Sequence, residues 1–396
     1  MMLRSHKLAC VLALSTLALF VAMTTCGPSP AAPPTPSLPP ETPAESPPPE
    51  PLASPEPSAP PLAELNLVTE PLEEKRLDVE LVYSGGDQTG LCYLGSYAML
   101  AKFDDGDIDF MDVIVNSGIG TSALYIPQAN ILFGGSFLGS IGLAAKNQGF
   151  GYYIVAFKGA QITDNFLCPD FPKDAKQVIY TDSEEEAFNL LKRLISTDIP
   201  VEVHLDLFPI KEPMMAHTTW AKYAFMEAPH VDHYMTITGY DDSYVYLNDP
   251  IEKASGKGKD IPVNISGFLD AWKNGNSSSF DEGARIGPYW MLFLGKRGTA
   301  KSADELISWN KDIAAEALGE IRKAADNPNI NELWHCNEMY RARKELGTFL
   351  KQNGQVEAGN MFLQAAELFR GLCQSSNPKA DLLKIADLQE QALRKL

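Results

Sequence analysis

The stretch HYMTITGYDDSYVYLNDP, His233 to Pro250, decides how this chain folds. Tyr234 to Thr238 and Tyr244 to Asn248 are rich in β-branched and aromatic residues, and Gly239 to Asp242 between them carry turn chemistry. The pattern predicts a β-hairpin. With the turn centred near Asp241, His233 falls directly opposite Asp249. Directly opposed residues share a face, with Cβ atoms roughly 4.5–5.5 Å apart, within reach of an imidazole to carboxylate hydrogen bond. In that register Asn248 pairs with Tyr234 on the other face, and His230 has the wrong parity. A slip of one residue would separate the two side chains.

Strand signals continue on both sides of the hairpin. PVEVHLDLF (Pro200 to Phe208) alternates apolar Val201, Val203 and Leu205 with polar Glu202, His204 and Asp206, while YYIVAFKG and YWMLFLG read as more deeply buried strands. Helices are expected at LCYLGSYAMLAKF after Gly90 and at SEEEAFNLLKRLIS, whose Ser183 and Glu186 form a capping box. After Thr299 the texture is helical only. Ser302 with Glu305 opens a capped helix, and further amphipathic segments lie around Leu333 to Leu350, Val356 to Leu372 and Ala380 to Leu396. Their apolar residues read as core, and this tail is expected to cover one side of the preceding domain.

A histidine facing an aspartate is, by itself, more often structural than catalytic. Cys92 changes the weighing. It stands after the loop GGDQTGL at the start of an apolar helix, where the helix dipole favours a thiolate. A thiolate, an imidazole and an orienting carboxylate form the constellation that activates cysteine for acyl chemistry. Taken alone, Cys92 could equally be a buried small hydrophobe.

The order Cys92, then His233 in HYMTITGYDD, then Asp249 in VYLNDP resembles papain-like bacterial proteins related to the bacteriocin leader peptidases. IPVEVHLDLFPI and the helical C-terminus resemble more closely the group of the butirosin biosynthesis protein H N-terminal domain. The resemblance runs from about Gly85 to Leu396. It implies an α+β, papain-like cysteine hydrolase fold, an antiparallel sheet plus the helix bearing Cys92, with an all-α C-terminal extension. Cys92 would be the nucleophile, His233 the general base and acid, and Asp249 the orienting group. Leader peptidases carry Cys-Gly after a glutamine that donates to the oxyanion; here Tyr93 follows Cys92, and Gln88 stands only four residues before it. Gln88 is a weaker candidate for that donor than the Cys92 backbone N–H.

The ends of the chain set the compartment. Arg4 and Lys7, the apolar run from Leu8 to Met23 and the small residues before Cys26 have the layout of a secretory signal over 1–26, with Cys26 resembling the lipidated cysteine of bacterial lipoproteins. Residues 27–64 are Pro-, Ala-, Ser- and Glu-rich, a composition for an extended stalk on the order of 100 Å long. The domains expected are therefore 65–298, catalytic, and 299–396, helical. A net charge of −18 argues against a nucleic-acid partner.

No CxxC pair or ligand spacing among Cys92, Cys168, Cys336 and Cys373 points to a metal, and no cofactor is expected. Cys336 and Cys373, on neighbouring predicted helices, could form a disulfide outside the cytoplasm. His204 is expected on the polar side of its strand, His217 and His230 in a loop and His335 in the tail, all without catalytic duty. The first functional reading is an exported cysteine peptidase or amidase acting on a peptide or other amide, membrane-anchored if Cys26 carries lipid and secreted otherwise. Acyl transfer to an amine and a catalytically silent binding module are the alternatives.

Overall fold

The structure is a computed structural model that describes residues 65–85, 90–126, 131–134, 137–160, 176–275, 287–327 and 336–396. The chain divides into Met1–Ser58 and Ala59–Leu396, and the described residues all fall in the second unit. The signal segment, Cys26, the stalk, Gln88, Cys168 and His335 lie outside the described residues.

In chain order the elements are β1 (Lys75–Arg76), α1 (Cys92–Asp104), α2 (Phe110–Ser117), β2 (Leu124–Ile126), β3 (Ile131–Phe133), α3 (Phe137–Asn147), β4 (Phe150–Phe157), β5 (Lys176–Thr181), α4 (Glu184–Ser196) and β6 (Val201–Asp206). After a 3₁₀ turn at Phe208–Ile210 come α5 (Lys211–His217), α6 (Ala221–Glu227), β7 (Asp232–Tyr240), β8 (Tyr244–Asn248), β9 (Ile261–Asn264), α7 (Ile265–Lys273) and β10 (Met291–Arg297). The tail supplies α8 (Ala303–Asp326), α9 (Cys336–Gln352), α10 (Val356–Leu372) and α11 (Pro378–Leu393). The fold is mixed α+β. The main sheet runs β5-β4-β10-β6-β7-β8-β9, with β1 added on β7; β4 and β5 are parallel, a departure from the all-antiparallel expectation, and the other pairs are antiparallel.

The hairpin forms, but in a different register. Thr236 pairs with Asn248 and Ile237 with Leu247; then a bulge shifts the ladder so that Gly239 pairs with Tyr246 and Tyr240 with Val245. The turn is one Asx motif, in which Asp241 Oδ1 accepts from the N–H groups of Ser243 and Tyr244 at 2.8 and 2.7 Å. Asp249 is therefore not opposite His233 in the ladder; it lies one residue beyond the end of β8. The bulge coincides with the crossing of β1: a Cβ on Gly239 would lie 2.5 Å from the Lys75 carbonyl oxygen. That crossing carries information from more than 150 residues upstream of the turn, which a local hairpin argument does not contain.

α1 is buried on all sides, from Tyr93 through Ala101, as expected for a helix apolar round its whole circumference. It packs on the sheet through the Thr236 hydroxyl, which donates to the Ser96 carbonyl at 3.2 Å, and through the edge contact of the Tyr93 and Tyr234 rings at 6.1 Å. The polar side of β6 therefore faces a helix rather than solvent, and all six of its residues are buried. His204 lies on the polar side of its strand as expected, but that side is covered, and the ring stacks on Tyr234 at 4.5 Å. The segment after β6 is also more ordered than a loop: His217 ends α5, whereas His230 does lie between elements.

The tail helices share cores with the earlier chain. Val115 packs with Leu306, Ile307 and Phe362, and Tyr125 and Leu132 pack with Ile321, Met339 and Ile385. Asn310 Nδ2 donates to the Val115 carbonyl at 3.0 Å, and the buried Arg343 guanidinium donates to the Ser122 carbonyl at 2.8 Å. Ser302 and Glu305 form the reciprocal cap at the start of α8. Cys336 and Cys373 are joined in a disulfide, with Cα atoms 6.1 Å apart.

Candidate active site

Cys92 is the first residue of α1, preceded by Leu91, with no acidic side chain in the first turn to offset the positive end of the helix dipole. Cys92 is half-buried and takes part in no disulfide. Gly95, one turn further, brings the rest of the site close. A Cβ there would lie 2.6 Å from Pro250 Cβ and 2.7 Å from Ser84 Cβ, so only glycine lets both segments lie against the helix. Pro250 is tied to Ser84, whose N–H and hydroxyl both donate to its carbonyl at 2.8 and 3.1 Å. Asp249 immediately precedes it.

His233 and Asp249 meet despite the changed register. His233 Nε2 lies 2.9 Å from Asp249 Oδ1, and both residues are buried. The Trp220 indole N–H donates to Asp249 Oδ2 at 2.6 Å, and the Ile251 N–H donates to Oδ1 at 3.0 Å. The carboxylate is thus held by three donors, and the Trp220 ring also stands edge-on to the imidazole at 5.2 Å. With Nε2 taken by Asp249, Nδ1 remains for the Cys92 side chain, which hydrogen-bonds the imidazole. Burial works against the imidazolium, but the negative charges of Cys92 and Asp249 outweigh it and push the His233 pKa up to about 10.

A second histidine–carboxylate pair lies nearby: His230 Nδ1 is 2.7 Å from Asp206 Oδ2. Its ring is half-exposed and lies tilted against Phe208, and Cys92 acts on His233. His204, fully buried, is pushed down to about 3, first by burial and then by His233, and so stays neutral. Among the described residues no cluster of histidine, cysteine and carboxylate side chains is arranged to hold a metal ion.

Three participants escaped sequence reasoning. Trp220 stands in HTTWAKYAF without any local signal that its indole reaches Asp249. Gly95 looks like a mere interruption of an apolar helix. Glu202, a polar residue of the alternating strand, is fully buried beneath α1.

Residues 141–280 match the model of the Peptidase_C39 like family. The matched span contains His233 and Asp249 and begins after Cys92. No curated protein matches the chain at a significant level. Among solved structures, the chain is similar to a Bacillus anthracis protein described as a C39-like peptidase, with 15% identity and a TM-score of 0.32 over 58% of this chain and 100% of that one. The family match supports a cysteine peptidase reading of the segment that carries His233 and Asp249.

Proposed function

We propose that the protein is an exported papain-like cysteine hydrolase that cleaves a peptide or related amide through a thioester on Cys92. The observation that carries this reading is the buried relay in which Asp249, fixed by Trp220 and the Ile251 N–H, holds one nitrogen of His233 while Cys92 engages the ring from the other side. The raised imidazole pKa favours an imidazolium beside the sulfur, the state in which the thiolate can attack.

In the first half-reaction the Cys92 sulfur bonds to the amide carbon, and the carbonyl π electrons move to oxygen. The Cys92 backbone N–H, at the open first turn of α1, is the proposed donor to that oxyanion. Collapse breaks the C–N bond, and the imidazolium gives its Nδ1 proton to the departing amine. In the second half-reaction neutral His233 takes a proton from water as the water oxygen attacks the thioester. The carboxylic acid leaves, and the sulfur departs as thiolate beside the renewed imidazolium. Asp249 keeps its negative charge throughout and stabilises the cation.

The domain assignment proposed with this chemistry is catalysis within 65–298 and a helical cover over 299–396. Export through the signal at 1–26, with lipid on Cys26 and residues 27–64 as a stalk, is supported by the Cys336–Cys373 disulfide, a bond typical of oxidising compartments. The test is intact-mass spectrometry of the full chain after exposure to a panel of peptide, amide and acyl electrophiles. An adduct on Cys92, lost in Cys92→Ser and in His233→Ala, is expected. Adducts that persist in Cys92→Ser, or none with any member, would overturn the assignment.

A further inference from the structure

Glu202 is a buried carboxyl group in the main sheet that the relay does not use. It stands on β6 between Leu292 of β10 and Thr236 of β7, at the centre of the sheet rather than near an edge. Its residue exposure is 0%, and neither carboxyl oxygen has a hydrogen-bond partner among the described residues. Thr236, its ladder partner, spends its hydroxyl on the Ser96 carbonyl of α1, which places Glu202 under the helix that carries Cys92. An unpaired charge in such a place costs several kcal/mol, so the group keeps its proton.

Among the described residues the surroundings supply no cation to change that. α1 presents Cys92, Tyr93 and Tyr97, and both tyrosines are pushed up by burial, so they too stay neutral. Along β6, His204 is neutral. Arg297, at the far end of β10, pairs with Asp105 and donates to the Gln148 carbonyl. Burial is the larger reason that the Glu202 carboxyl holds its proton far above the ordinary range, and Cys92 is the other. His233, by contrast, responds to burial, Cys92 and Asp249. Glu202 shares with Thr236 the sheet face that α1 covers, whereas His233 alternates to the opposite face of β7, so Glu202 bears first on the sulfur.

That asymmetry has a chemical consequence. We propose that Glu202 is a positioning residue whose protonated carboxyl allows Cys92 and His233 to stand as thiolate and imidazolium, and whose ionisation collapses that pair. The inference rests on the reading of Cys92 as nucleophile. When Glu202 ionises, its proton leaves to solvent and a second anion stands near the sulfur. The sulfur then recovers the Nδ1 proton of the imidazolium, so that thiol, neutral imidazole and carboxylate replace thiolate, imidazolium and carboxylic acid. One proton is lost overall, and the net charge of the set falls by one. The alkaline limit of the active pair is thus set jointly by His233 and by a glutamate on the neighbouring strand.

The test follows the His233 imidazole by nitrogen NMR in full-length protein across pH, with His233→Gln to assign the signal. Wild type is compared with Glu202→Gln and Glu202→Met, two neutral side chains of similar length. Both variants are expected to keep the imidazolium to a pH higher by about one unit, a tenfold change in proton affinity. A purely structural role for Glu202 would not move the titration upward. If His233 titrates upward from its ordinary range in wild type yet is unmoved or lowered in the folded variants, the role of Glu202 is overturned while the nucleophile stands. If wild-type His233 titrates as an ordinary histidine, the thiolate–imidazolium reading fails first, and the role of Glu202 fails with it.

Discussion

Replacing Gly95 by alanine should damage the active site more than the fold. The added Cβ would lie 2.6 Å from Pro250 Cβ and 2.7 Å from Ser84 Cβ. Carbon atoms pack at about 3.5–4.0 Å, so the neighbours must retreat by roughly 1 Å. Ser84 and Pro250 are hydrogen-bonded to each other and retreat together, carrying Asp249 away from α1. The stability terms oppose one another: alanine gains up to roughly 1 kcal/mol of helix propensity over glycine, while overpacking costs about 1–3 kcal/mol. The net loss is therefore small, about 0–2 kcal/mol. A catalytic group displaced by about 1 Å, however, lowers rates on the order of 100-fold. The assay is the rate of Cys92 alkylation by iodoacetamide, read by peptide mass spectrometry beside a thermal melt. Gly106→Ala serves as the control, since a Cβ there meets nothing within 4 Å. Wild-type reactivity in a folded Gly95→Ala would refute the claim that this contact sets the position of Asp249 relative to Cys92.

Other outcomes follow from the same geometry. Asp249→Asn should leave the fold largely intact and lower turnover by up to about 10⁴, the effect of the equivalent change in a serine-protease triad, whereas Asp242→Asn in the turn should change turnover less than twofold. Trp220→Phe removes one donor to Asp249 and keeps a ring against His233, so kcat should fall about tenfold for a loss near 1.4 kcal/mol; an unchanged kcat would remove Trp220 from the relay. His233, raised to about 10 in the fold, contributes stability that is fully present below its unfolded pKa of roughly 6.5 and is lost as pH rises through about 10. The melting-temperature advantage of wild type over His233→Gln should accordingly shrink from pH 6 to pH 10.5, and a constant difference would contradict the raised pKa. Reducing the Cys336–Cys373 bond, which spans a separation of 37 residues, should cost up to about 4 kcal/mol on the chain-entropy estimate, seen as a lower midpoint in urea.

What the sequence disclosed about this site followed from local rules. The strand pattern of HYMTITGYDDSYVYLNDP and the Asx turn at Asp241 are properties of neighbouring residues, and they predict a hairpin with His233 and Asp249 at its open end. The register was missed because the turn centres between Asp242 and Ser243 rather than at Asp241; the bulge at Gly239, where β1 crosses, then shifts the ladder by one residue and returns His233 and Asp249 to one face. The contact nonetheless formed, because Asp249 continues past the ladder into a turn fastened to Ser84 and Gly258. The alternation in PVEVHLDLF separates an apolar face from a polar one. Its period holds, but α1 covers the polar side, so that Glu202 and His204 became interior groups. Trp220 reaches Asp249 across a segment whose two short helices lack a long periodic pattern, and no spacing rule finds such a residue.

The account's central claim is that Cys92 is a nucleophile held ready by His233, and the rate of its alkylation at pH 6 tests this most directly. An ordinary thiol with a pKa near 8.5 is on the order of 0.3% thiolate at that pH. Cys92 in the wild-type protein is predicted to react at least about tenfold faster than Cys92 in His233→Ala, with a rate that holds level from pH 6 to pH 8. Equal rates in the two proteins, rising together with pH as a free thiol does, would contradict it.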